Sequence, residues 1–160
     1  MIVLPFPLVA TISLALTLAV ASSGSLFRPD AWYERLRKPR LMPPGWVFPV
    51  VWTVLYVLMA LAAAEIFVHY DAPLRPWALT LYALQLIANA LWSWLFFKLH
   101  RPLWALWDLI LLWLLVLACI LVFAAIATPA ALLLLPYGFW LLIALYLNAA
   151  TWVLNRKERR

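Results

Sequence analysis

Long apolar runs, separated by short segments that hold nearly all the charge, dominate the chain. Five runs stand out, at residues 5–26, 46–67, 76–97, 102–127 and 129–154. Each is long enough for a helix rising about 1.5 Å per residue to cross a hydrocarbon core of roughly 30 Å. Pro76, Pro102 and Pro129 open three of them, and a proline suits the first helical turn, where its missing N–H has no partner to lose. A closed β-barrel also satisfies its backbone in lipid, but residues 109–122 lack the polar and apolar alternation of a barrel strand. The pattern predicts an all-α integral membrane protein, a five-transmembrane-helix bundle forming one domain over residues 1–160. Its one long polar connection, residues 27–45, lies between the first two spans.

Composition agrees: 69% of residues are hydrophobic, 11% are charged and the mean hydropathy is +1.01. A soluble domain is about half apolar and a quarter charged, so that class is excluded. Three glycines and the single Cys119 exclude collagen-like and disulfide-stapled classes. The net charge of +6 reads as topology rather than nucleic-acid binding, because the cations sit in clusters between the runs. Arg28, Arg35, Arg37, Lys38 and Arg40 precede the second span, Lys98 and Arg101 separate the third and fourth, and Arg156, Lys157, Arg159 and Arg160 end the chain. Only Arg75 falls on the other side. Positive charge accumulates in the cytoplasm, which places the N-terminus outside and the C-terminus inside. Ala19, Val20 and Ala21 before Ser22 imitate a signal-peptidase site, but no basic residue precedes the run and it exceeds a signal core; it is expected to remain as a span.

Candidate chemistry lies at polar and aromatic positions inside the spans, where such groups normally face a bundle interior or a cavity. Helical spacing puts Trp52, Tyr56 and Met59 on one face of the second span. The same spacing aligns Gln85, Asn89, Trp92 and Phe96 in the third, and Trp140, Ala144 and Asn148 in the fifth. Together they describe an aromatic pocket for a large planar ligand, oriented by amides and given room by the small Ala144. The bland reading of Gln85 and Asn89 is interhelical glue. Thr11, Ala15, Ala19 and Ser23 make a small-residue stripe that lets another helix approach closely. Asp108, inside the fourth span, is either a proton or ligand partner, or a structural group reaching Arg101, a first-loop cation or an indole N–H; the structural reading is favoured. Glu65 sits near enough to the outer interface to be hydrated, His69 and His100 have no metal-site spacing, and Cys119 reads as an inert thiol. Neither a resident cofactor nor a metal is expected.

The segment around the first loop is distinctive. Arg28-Pro29-Asp30-Ala31-Trp32-Tyr33, Lys38-Pro39, Pro43-Pro44, Val47-Phe48-Pro49, Val51-Trp52 and Leu55-Tyr56 resemble the TspO/MBR family, also called translocator or tryptophan-rich sensory proteins. Gln85, Asn89, Trp92 and Phe96-Phe97 continue the resemblance, as do Pro136-Tyr137, Trp140, Ala144, Leu147 and Asn148, so it covers essentially the whole chain. It implies a membrane-embedded bundle, often a homodimer, that binds protoporphyrin IX or haem, sterols in animal members, and isoquinoline or benzodiazepine compounds. The first loop resembles the family's pocket lid, and Trp32, Tyr33, Trp52, Tyr56, Asn89, Trp140, Ala144 and Leu147 fall at ligand-lining positions. Trp52 and Trp140 also match two tryptophans linked in some bacterial members with light-dependent oxidative breakdown of protoporphyrin, and Asp108 matches an acidic position of animal members. Two departures stand out. Arg40-Leu41-Met42 replaces the aromatic residue that the family usually has before Pro43-Pro44, and Ala149 replaces the tyrosine of the animal sterol segment, which argues against sterol binding.

Two functional classes follow from the resemblance. One is a tetrapyrrole-binding sensor, regulator or carrier in a bacterial membrane, with first-loop cations pairing with propionates, and it is the preferred reading. The other is a catalyst in which Trp52 and Trp140 take part in breaking the macrocycle. Nucleic acid is not an expected partner; the lipid bilayer is.

Overall fold

The computed structural model describes residues 4–26 and 29–156, and all regular structure within them is helical. Arg28, Lys157, Arg159 and Arg160, counted above among the cations, lie outside the described residues, as do the side chains of Ala21 and Ser23. The elements are α1 (Phe6–Leu26), α2 (Ala31–Arg35), α3 (Val47–Val68), α4 (Arg75–Ser93) with a π turn at Trp94–Lys98, α5 (Pro102–Ala124) and α6 (Thr128–Asn155). Four of them, α3, α4 with its π turn, α5 and α6, are long and apolar enough to cross a membrane, and α1 adds a shorter apolar stretch, Phe6–Val20. The protein is therefore an all-helical, multi-pass membrane protein.

The five expected runs coincide with the five long helices. The largest departure is in α5, which stops at Ala124 rather than 127 because the chain turns there, with Ala127 N–H donating to the Phe123 carbonyl at 2.7 Å. Prolines stand in the first turns of α4, α5 and α6. The helices pack as a ring: α1 on α3, α3 on α6, α6 on α5, α5 on α4, and α4 back on α1. Tyr137, Met59, Leu109, Leu134 and Leu141 fill its interior, each 2% exposed or less.

On α1 the face turned to the bundle is Val9, Ser13 and Thr17. Ser13 Oγ donates to the Ala60 carbonyl of α3 at 2.9 Å, and Thr17 Oγ1 lies 2.9 Å from Tyr82 Oη of α4. In a membrane, contacts of this kind hold helices together by about 0.6 kcal/mol each. Thr11, Ala15 and Ala19 are exposed, so this part of the small-residue stripe is not what brings α1 onto its own bundle. A period of four started two residues earlier, at Val9, selects the packed face instead.

The third span ends unexpectedly. Leu99 N–H reaches back five residues to the Trp94 carbonyl at 3.0 Å, closing a π turn, and His100 follows at φ 53. A regular helix would turn the neighbours Phe96 and Phe97 about 100° apart. In the wider turn both border the same cavity.

Candidate functional site

A cavity of about 900 Å³ opens among α3, α4, α5 and α6, beneath the loop that carries α2. Eight aromatic side chains are among its lining residues. Trp52 stacks on Tyr56, with centroids 5.4 Å apart and planes 29° apart, and meets Tyr137 edge-on. Trp140, on α6, meets Phe48 edge-on at 6.0 Å. Trp92 stacks on Phe96 at 5.3 Å, and Tyr33 of α2 closes over the π turn, with its ring edge-on to Phe96 and Phe97. Ala144 and Leu147 face the cavity from α6, and Met42 borders it just before the Pro43-Pro44 pair, where the resembling family has an aromatic residue.

Of the eight ligand-lining candidates, Tyr33, Trp52, Tyr56, Asn89, Trp140, Ala144 and Leu147 border this cavity. Trp32 does not. Its ring is stacked on His100, with centroids 4.2 Å apart and planes 19° apart, and meets Phe96 edge-on at 5.9 Å, so it fastens the lid to the end of α4. Met59 and Gln85 share helical faces with lining residues but are buried in the core and do not border the cavity. Asn148 does both jobs weighed for such amides. It borders the cavity, accepts from Trp92 Nε1 at 3.0 Å and donates to the Pro102 carbonyl at 2.8 Å, tying α4, α5 and α6 together.

The lid is held by contacts at both of its ends. Asp30 caps α2, its Oδ1 accepting from Trp32 N–H at 3.0 Å and Tyr33 N–H at 3.1 Å, while its Oδ2 lies 2.9 Å from His100 Nε2. The Tyr33 N–H, followed by His100 and the Trp32 N–H, holds the Asp30 carboxyl below the usual carboxylate range, against the opposing effect of burial. A lowered value means that the Asp30 carboxylate is charged at neutral pH and that its grip on the Trp32 and Tyr33 N–H groups weakens only as the pH falls through the acidic carboxylate range. Burial, and Glu34 beside it, push the Tyr33 phenol up. At the far end of the lid, Asn155 grips the backbone of Arg37 twice, accepting from its N–H at 2.9 Å and donating to its carbonyl at 3.0 Å. Replacing Asn155 with Ala removes both bonds. We expect ligand dissociation to quicken severalfold and the amides of residues 31–38 to exchange faster, with the helices unaffected; unchanged exchange in the lid would contradict this.

Among the cations considered for ligand pairing, Lys38 borders the cavity, whereas Arg35, Arg37 and Arg40 do not. Lys38 Nζ is 3.2 Å from Glu34 Oε2 and 4.9 Å from the centre of the Tyr33 ring. Asp108, buried on α5, stays outside the cavity. Its Oδ2 has no hydrogen-bond partner among the described residues, so that oxygen is not held by the cation or indole N–H expected for a structural role. Cys119 is free and buried.

A model of the TspO/MBR family matches residues 12–153 of the chain. The tryptophan-rich sensory protein of Cereibacter sphaeroides is 42% identical over 144 residues, covering 89% of each chain. Protein CrtK of Rhodobacter capsulatus is 38% identical over 139 residues, 86% of this chain and 87% of its own. The translocator protein of Bos taurus is 35% identical over 130 residues, covering 80% of this chain and 77% of the bovine one.

Proposed function

The chain belongs to the TspO/MBR family, and from that premise we propose that it binds a tetrapyrrole, protoporphyrin IX or haem, in the cavity beneath the lid, acting as its sensor, regulator or carrier. The observation that carries the reading is the cavity itself. At about 900 Å³ it is at the upper end of the usual range for small-molecule sites, and indole and phenyl rings wall it. Flat rings present large apolar faces to a macrocycle at little entropic cost, while Asn89, Asn148 and Tyr56 offer a few oriented polar groups. Lys38 at the lid supplies one cation for a propionate. Saturable quenching of tryptophan fluorescence by protoporphyrin tests the reading; linear quenching that merely follows partition into detergent would count against it.

The same proposal includes five spans in a bacterial membrane, with the N-terminus outside and the C-terminus in the cytoplasm. One end of the bundle supports this orientation. The lid, the turn after α4 and the end of α6 meet there through Asp30–His100 and Asn155–Arg37, gathering the cation-rich segments. Arg75, the lone cation of the other side, has its guanidinium 4.6 Å from the Phe67 ring centre and 4.9 Å from that of Tyr70. A C-terminal reporter should read cytoplasm and an N-terminal one the outside; the reverse would refute the orientation. A homodimer completes the proposal, and the mass of the solubilised protein tests it.

A further inference from the structure

Behind the cavity wall, four side chains form one chain of hydrogen bonds. Tyr56 Oη donates to Asn89 Oδ1 at 2.8 Å, Asn89 Nδ2 donates to Tyr137 Oη at 2.9 Å, and Tyr137 Oη donates to Gln85 Oε1 at 3.1 Å. Tyr56 and Asn89 border the cavity, whereas Tyr137 and Gln85 are 0% and 1% exposed. The chain ends badly, because Gln85 Nε2 is buried with no hydrogen-bond partner among the described residues. A buried N–H without a partner is rarer and more costly than an unpaired carbonyl oxygen.

Turning both amides over by about 180° exchanges the oxygen and nitrogen of each, leaves the other heavy atoms in place and reverses the chain. Gln85 Nε2 then donates to Tyr137, Tyr137 donates to Asn89 Oδ1, and Asn89 Nδ2 donates to Tyr56 Oη. The stranded donor gains a partner and an oxygen becomes the orphan. The hydroxyl proton of Tyr56 is released from Asn89 and becomes available to the cavity.

We infer that Tyr56, Asn89, Tyr137 and Gln85 form a reversible hydrogen-bond relay that lets Tyr56 donate to a carbonyl acceptor on an aromatic ligand. The inference rests on the cavity being the ligand site. It makes Tyr56 a specificity-determining residue and Gln85, which does not border the cavity, a positioning residue acting through Tyr137 and Asn89. The two directions of the relay correspond to an empty site, where Tyr56 satisfies itself on Asn89, and a site holding an acceptor.

The test uses the whole protein in lipid nanodiscs and two probes: an isoquinoline carboxamide, and its analogue with an alkyl group in place of the carboxamide. Tyr56→Phe keeps the ring, and is expected to weaken the carboxamide about fivefold to tenfold and the alkyl analogue less than about twofold, as loss of one hydrogen bond would. Gln85→Met is similar in size and removes the acceptor at the buried end. Tyr137 must then donate to Asn89, which favours the released Tyr56 proton. This remote change is expected to tighten carboxamide binding about twofold to fivefold without altering the alkyl analogue. The infrared carbonyl band of a ¹³C-labelled carboxamide should shift to lower frequency on binding to the wild type and to Gln85→Met, and should not shift on binding to Tyr56→Phe. Equal losses for both probes in Tyr56→Phe, weakened carboxamide binding in Gln85→Met, or a carbonyl shift that survives in Tyr56→Phe would overturn the relay while leaving the cavity as the site. Failure of both probes to bind the wild type saturably would overturn the cavity reading and the relay with it.

Discussion

Ala144→Phe is expected to lower protoporphyrin affinity at least about thirtyfold, roughly 2 kcal/mol, while leaving the protein folded. Ala144 lies one helical turn beyond Trp140 on α6, half-buried at the cavity wall. A phenyl ring there enters the space between the aromatic walls and displaces the macrocycle. In a filled core the same substitution would overpack and destabilise by about 1 to 3 kcal/mol. Here the ring grows into existing volume, so the melting temperature should change little. An isoquinoline carboxamide should be excluded alongside porphyrin, since both need the same walls. Full affinity for either ligand in a folded Ala144→Phe protein would move the site away from α6.

The second large effect concerns charge. Lys38→Glu is expected to weaken a dicarboxylate porphyrin about tenfold and a neutral isoquinoline carboxamide less than about twofold. Lys38 borders the cavity, but its ammonium already meets Glu34 at 3.2 Å, so a propionate has to compete with that carboxylate. The pair is solvent-accessible, with side-chain exposures of 33% for Lys38 and 70% for Glu34, and such pairs contribute under about 1 kcal/mol. Competition gives the opposite change a sign: Glu34→Gln should strengthen porphyrin binding by up to about fivefold. Raised salt should shrink both effects, because the charges are hydrated. Losses of equal size for the charged and neutral ligands would indicate a disturbed lid rather than a lost ion pair.

The spans were legible because the bilayer imposes a length and an apolar content that few other structures require, and Pro76, Pro102 and Pro129 marked three starts. The cavity was legible as far as helical spacing reaches: Trp52 with Tyr56, Trp92 with Phe96, and Trp140 with Ala144 stand where one-face arithmetic puts them. Spacing could not separate Asn89 from Gln85. Both lie on one face of α4 and both bond Tyr137 of α6, 48 and 52 positions away in sequence, but Asn89 also meets Tyr56 and borders the cavity, whereas Gln85 stays behind it. The resemblance puts Trp32 among the lining residues, whereas its ring is stacked on His100 and does not border the cavity. The π turn that brings Phe96 and Phe97 together has no signature in a run of apolar residues. The Asn155 grip on Arg37 spans 118 positions and carries no local signal. The Asp30 cap did carry one, an acid just before Ala31, Trp32 and Tyr33, which reads as a helix start.

The measurement that bears most directly on the cavity as a tetrapyrrole site is a protoporphyrin titration of the purified protein in the dark, read by tryptophan quenching, with wild type and Ala144→Phe side by side. A tetrapyrrole site walled by Trp52 and Trp140 gives saturable quenching at one porphyrin per chain in the wild type, reversed by an isoquinoline carboxamide and lost in Ala144→Phe. Quenching that rises without saturation, or that is identical in the two proteins and indifferent to the competitor, would contradict it.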